Sequence, residues 1–514
     1  MNKRITRRDF LKITSAIPFV PLIKRIDRLH IPFPSQSEQP NIIIVLFDAL
    51  SARNLSLYGY PRKTCPNLER FSANATVYHN HHSAGNFTTP STASLFTSTY
   101  PWTHRAFNLS SLINPSVIPH NLFRELNGIF TQIVFSQNIY ADMLLNQFQK
   151  FLDRHVDLDS FSLVGHTFYN HLFPRDANYG MRSYDQFLFV REEAHGSLFL
   201  SILSDLITQL NNRIASEKLS DVYPEELPRL ANTDVNFELD KVMSGVMSEL
   251  DQISSPSLFY IHLMPPHAPY VPSSQYRGMF DDGWSPPAKK KHRLAAGVSE
   301  LRMNELRGEY DEFIANLDSE FELLLDHLQN SGLLENSYVI FTSDHGELFE
   351  RGATGHSTPL VFEPVINIPL VISKPGQTVR EDIHTLTSNV DLAPTLFRIA
   401  GLDIPSWCEG SVLPGFGEAV DANRSIYVVE AKSNSTREPF HKATLAMLKG
   451  QYKLILYLGY RYYREKIELY DLVNDPEELN NLYPSHPLAK EIWDEFQLKL
   501  QEVNRPYQNE EVLQ

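Results

Sequence analysis

NIIIVLFDAL, residues 41–50, runs six apolar side chains together, Ile42 to Phe47, and then turns polar at Asp48. No polar residue alternates with them, so neither face of this segment is built for water. That is the pattern of a strand buried on both sides of a parallel sheet. Comparable runs recur at IFTQIVFS (129–136), LFYIHLM (258–264), YVIFTSD (338–344) and PLVIS (369–373). Before the fourth run lies a helical pattern: Tyr310, Phe313, Ile314, Leu317, Phe321, Leu324, Leu325 and Leu328 keep three-and-four spacing. Strands alternating with helices predict an α/β fold, with a mostly parallel central sheet flanked by helices.

Outward from this core, IPFPSQSEQP (31–40) reads as a linker. Residues from about 140 to 245 carry no motif; LFLSILSDLITQL (198–210) has helical spacing, and the region reads as an insertion or lid that would set substrate choice. After Pro405, short strand patterns follow closely at 425–432, 442–450, 452–460 and 466–472, and a helix at 491–503. They predict a small antiparallel-sheet subdomain over 416–514, leaving 41–415 as the main domain.

The net charge of −15 argues against a broad nucleic-acid-binding face. Residues 1–28 stand apart, with eight Lys/Arg against two Asp around the apolar run ITSAIPFVPLI. That run is too short to span a bilayer, and a basic flank with a short apolar run is the pattern of an export signal. Arg7, Arg8, Phe10, Leu11 and Lys12 resemble the twin-arginine signal. The expectation is an exported protein, periplasmic or at the cell surface, with any membrane contact confined to residues 1–30. Cys65 and Cys408 are too few for a disulfide framework.

In open α/β sheets, reactive groups collect beyond the carboxyl ends of the strands. Asp48 ends the first run and Asp344–His345 the fourth. Such a set can hold one divalent cation, the imidazole favouring zinc or manganese, with calcium or magnesium as alternatives. A strand-ending aspartate serves equally well as a turn or cap residue, and the pattern alone leaves both readings open.

Several segments, in order along the chain, resemble the sulfatase-like branch of the alkaline phosphatase superfamily. They are NIIIVLFDAL, YGYPRKTCPNLERFS, FTTPSTASLFTSTYPWTHR, FYIHLMPPHAPYVP, YVIFTSDHGE, GHSTPLVFEPVINIPLVI, NVDLAPTLFRIAGL and ELYDLVNDPEELNNL. The resemblance implies Thr88, two before Pro90, as nucleophile. It implies Asp48, Asp344, His345 and the Thr88 oxygen as metal ligands, and His267 and His356 as contacts to the transferred group or the leaving oxygen. Ser91, Thr92 and Ser94 are then expected to shape the turn and cap the following helix. His262 is expected to stay neutral in its strand, Asp318 to be structural, and HNHH (79–82) to have a packing or surface role.

Three positions depart from the family pattern. Thr88 stands where sulfatases carry the Cys or Ser that becomes formylglycine, Thr92 where an arginine supports it, and Ala49 where a second carboxylate follows the first. Threonine resembles instead the nucleophile of the superfamily's phosphodiesterases and phosphotransferases. The implied activity is therefore hydrolysis or transfer at a phosphate ester through a covalent threonine intermediate, with sulfuric ester hydrolysis as the alternative. The expected substrate is a small-molecule, glycan or lipid-headgroup ester. A reading from another class is an inactive homologue that only binds a glycan or lipid headgroup, which would hold no metal.

Overall fold

The computed structural model describes residues 39–163, 198–221, 237–253, 256–417, 421, 423–461, 463 and 466–507. The expected export segment and parts of the expected insertion lie outside these. The described residues belong to one compact unit.

Asn41–Asp48 (β1) sits inside an eight-stranded sheet. The other strands are Thr76–Tyr78 (β2), Thr131–Ser136 (β3), Arg154–Val156 (β4), Ser257–Pro266 (β5), Ser337–Ser343 (β6), Leu370–Ser373 (β7) and Glu381–Ile383 (β8). Their order is β8-β2-β7-β6-β1-β5-β3-β4. β1 pairs in parallel with β5 and β6, and β3 in parallel with β5 and β4. β7, the PLVIS run, is antiparallel to both β6 and β2. The sheet is thus mostly parallel, as expected. β4 extends it, so residues 154–156, within the stretch expected as an insertion, belong to the central sheet.

Both faces of β1 are buried, which explains its unbroken apolar run. Ile42, Ile44 and Leu46 pack with Leu95 and Phe96 of helix α1 (Thr88–Thr97). Ile43, Val45 and Phe47 pack with Ile314, Leu317 and Phe321 of helix α2 (Glu300–Asn330), which Ser299 caps. α2 begins ten residues before Tyr310, where Met303 and Leu306 continue the apolar stripe. Asp318 in this helix accepts from Asn67 and Leu68 N–H at 2.8 and 2.9 Å, a structural role. His81 and His82 are buried, bonded to Thr387 and Glu363.

Near the C-terminus, β9 (Ser425–Glu430), β10 (Ala443–Lys449), β11 (Tyr452–Leu458) and β12 (Ile467–Asp471) form an antiparallel sheet in that order. Ile492 and Phe496 of helix α3 (Ala489–Asn504) pack on it. Val429 N–H of β9 donates to Ala84 O at 2.9 Å, tying this sheet to the segment that leads into α1. Among the described residues, no helix is long and apolar enough to cross a membrane.

Candidate active site

Parallel pairing brings the carboxyl ends of β1, β3, β5 and β6 to one edge. At that edge the β1–β5 register slips between Phe47 and Asp48, so Asp48 pairs with Pro266 instead of Met264. Asp344 and His345 follow β6 directly. Ligand atoms of Asp48, Asp344 and His345 all lie within 4.8 Å of one another, and all three residues are fully buried. Thr88, the first residue of α1, brings Oγ1 to 3.5 Å from His345 Nε2.

Each member is held by defined partners. Asp344 Oδ1 accepts from Ala49 N–H at 3.1 Å and from His345 N–H at 2.9 Å. Ala49, where the family has its second carboxylate, turns left-handed at φ 61°. For a residue with a Cβ, that conformation costs about 1–2 kcal/mol. The Tyr310 hydroxyl fixes the turn by donating to Ala49 O at 2.6 Å. His345 Nδ1 lies 3.0 Å from Gly346 O. A carbonyl only accepts, so Nδ1 carries the proton and the Nε2 lone pair faces the carboxylates. Gly346 has no substitute here, since a Cβ would meet Pro364 O at 2.2 Å.

Asp48 Oδ1 and Asp344 Oδ2 are buried without a hydrogen-bond partner. Two orphaned carboxylate oxygens beside an imidazole lone pair leave their charge uncompensated, a severe cost in a low-dielectric interior. A divalent cation removes that cost, and the donor set fits one. Without it, burial and then repulsion from Asp48 push the Asp344 carboxyl above its ordinary range. Burial also acts to raise Asp48, but the His267 charge and the His262 hydrogen bond outweigh it and hold its carboxyl well below that range.

Two residues here carried no site assignment from sequence. Asn138 Nδ2 lies 2.5 Å from Asp48 Oδ2 and 3.1 Å from Thr88 Oγ1. Its Oδ1 caps the helix Ile139–Asn146 through Tyr140 N–H at 2.8 Å, so its rotamer is fixed. The available signal was its place just past the carboxyl end of β3. His262, expected to be a bystander in its strand, places Nε2 3.2 Å from Asp48 Oδ2. Tyr260 OH lies 3.0 Å from its Nδ1. A hydroxyl can donate there, which puts the ring proton on Nε2, aimed at Asp48.

His267 and His356 do come together at the site. Their ring centroids are 4.8 Å apart, and His356 lies 4.3 Å from the His345 ring. His356 Nδ1 is 3.0 Å from Glu347 Oε1. Burial, then the His267 charge, push His356 well below the ordinary imidazole range. Burial acts the same way on His267, but Asp48 and Glu347 outweigh it and raise it.

The expected capping by hydroxyls does not occur. Phe87 starts α1 with no side-chain cap. Ser91 Oγ donates instead to Asp344 O and accepts from Ser83 Oγ at 2.8 Å, while Ser94 Oγ pairs with His104 Nε2 at 2.9 Å. Thr92 Oγ1 is buried with no partner. Ser91 thus docks α1 onto the end of β6, and the helix's uncapped positive end is left at Thr88, where negative charge is favoured.

Residues 40–402 match the Sulfatase family, and residues 356–506 match the N-sulphoglucosamine sulphohydrolase C-terminal family. Arylsulfatase K of Xenopus laevis is 31% identical over 195 residues, 36% of this chain and 35% of that protein. The chain thus spans about a third of that relative's length. Choline-sulfatase of Rhizobium meliloti is 22% identical over 471 residues, 86% of this chain and 82% of that one. In fold, the chain is similar to a phosphonate monoester hydrolase of Agrobacterium radiobacter, with TM-score 0.63 at 16% identity, covering 91% of this chain and 96% of that one.

Proposed function

Because the chain belongs to the sulfatase family, we propose that it is a metal-dependent ester hydrolase with Thr88 as nucleophile and phosphoric esters as preferred substrates. The observation that carries this reading is the Thr88 hydroxyl, at the uncapped head of α1 and beside two orphaned carboxylate oxygens. Asp48, Asp344, His345 and Thr88 would hold the cation, with zinc or manganese favoured by the imidazole. Bound there, a cation lowers the pKa of the threonine hydroxyl and shields charge on the attacked group.

The chain's own residues account for the rest. Asn138 bridges Asp48 and Thr88 and orients the attacking oxygen. Thr88 would attack as the alkoxide, its proton having passed to solvent with the cation bound; as the bond from Oγ1 to phosphorus forms, the ester bond breaks and the leaving oxygen takes a proton from His267. Water then attacks phosphorus and releases Thr88, with the neutral His356 placed to accept the water's proton.

The phosphate preference rests on side-chain chemistry. Formylglycine is an aldehyde made from a primary carbon, whereas oxidising threonine's secondary carbinol gives a ketone. A sulfuric ester substrate remains the second reading, favoured by the names of arylsulfatase K and choline-sulfatase. Side-by-side assays of an aryl phosphodiester and an aryl sulfate separate the two. A kcat/KM at least about 10-fold higher on the phosphodiester, or about 1.4 kcal/mol in transition-state binding, is expected. The opposite ranking would transfer the assignment to sulfuric esters.

A further inference from the structure

Thr92 leaves the first half of the chain without a basic side chain where the family pattern has an arginine. A cation reaches the N-terminal end of α1 from beside the C-terminal sheet. Lys432, two residues past β9, sets its Nζ 4.8 Å from the centroid of the Phe87 ring, and Phe87 immediately precedes Thr88.

The backbone that carries Lys432 is tightly fixed. Asn108 Nδ2 donates to Lys432 O at 2.6 Å and to Asn434 O at 3.1 Å. Lys432 N–H donates to Glu430 Oε1 at 3.2 Å. The buried Arg105, eight residues beyond the end of α1, donates to the carbonyls of Ser435, Thr436 and Glu438. Asn108 and Arg105 belong to the segment that follows α1, so the nucleophile region itself holds the loop in register. A half-buried lysine placed this way is a preorganised charge rather than a solvated surface group.

We propose that Lys432 is a substrate-binding residue, whose ammonium contacts a non-bridging oxygen of the ester's anionic group beside Thr88. The proposal rests on the reading of this pocket as the ester site. It makes the C-terminal sheet a contributor to that site, not only to stability.

The test compares Lys432→Met and Lys432→Arg with the wild-type, metal-loaded full chain. For Lys432→Met, we expect kcat/KM on the aryl ester to fall by about 10- to 100-fold, mostly through KM, because a charge-assisted contact is lost. Inhibition by inorganic phosphate should weaken by a similar factor, metal content should be unchanged, and Lys432→Arg should recover most of the loss. An unchanged KM and an unchanged phosphate inhibition constant in Lys432→Met would overturn the proposal, as would a Lys432→Arg variant as impaired as the methionine one. If the wild type turns over neither ester, calorimetric titration with phosphate and with sulfate still decides. Weaker anion binding in Lys432→Met supports the role of Lys432 although the catalytic reading has failed, and equal binding overturns both.

Discussion

Thr88→Ala is expected to lower turnover of the preferred aryl ester by on the order of 10⁴-fold or more, as loss of a nucleophile does elsewhere. Thr88 is buried at the first turn of α1, yet its recorded hydroxyl contacts are Asn138 and His345, both of the site rather than the core. Alanine is also the best helix former. The fold and thermal midpoint should therefore be nearly unchanged while activity vanishes. Thr88→Ser keeps a hydroxyl at the same atom and should retain a measurable fraction. If Thr88→Ala keeps most of the activity, the nucleophile lies elsewhere.

Asp344→Asn should abolish metal retention without unfolding the protein. The asparagine carbonyl can still accept from Ala49 and His345 N–H, so the backbone at the end of β6 keeps its anchor. What it loses is the second negative charge facing Asp48. We expect elemental analysis to fall from about one divalent ion per chain to near none, an affinity loss of on the order of 100-fold or more. Chelation should lower the melting temperature of the wild type and leave Asp344→Asn unaffected. The metal-free variant should be at least as stable as the metal-free wild type, since it no longer buries two like charges together. Normal metal content in the variant would remove Asp344 from the ligand set, and a wild type that binds no metal would favour the binding-only reading.

The contrast between these ligands and Asn138 shows what sequence can carry. Asp48 and Asp344–His345 each stand at the end of an apolar run, so strand recognition alone places them on one edge of a parallel sheet. Asn138 and His262 have no such local mark. His262 sits inside an apolar run, where a histidine reads as a satisfied core residue. It reaches Asp48 because the β1–β5 register sets it opposite Leu46, with Asp48 two residues further along. That register joins segments more than 200 residues apart. The hydroxyls of Ser91 and Ser94 misled for a related reason. Local rules assign them to capping, whereas their partners, Asp344 and His104, come from chain segments brought in by the fold. The antiparallel turn of β7 was equally hidden, since a doubly buried strand has the same apolar run in either direction.

The central claim is that Thr88 itself carries the transferred group. Intact-mass spectrometry after rapid acid quench of the metal-loaded protein with an aryl phosphodiester tests it most directly. The account predicts an adduct of one phosphoryl ester group that maps to Thr88 and is absent from Thr88→Ala. Steady turnover with no adduct on Thr88, or an adduct that persists in Thr88→Ala, would contradict it.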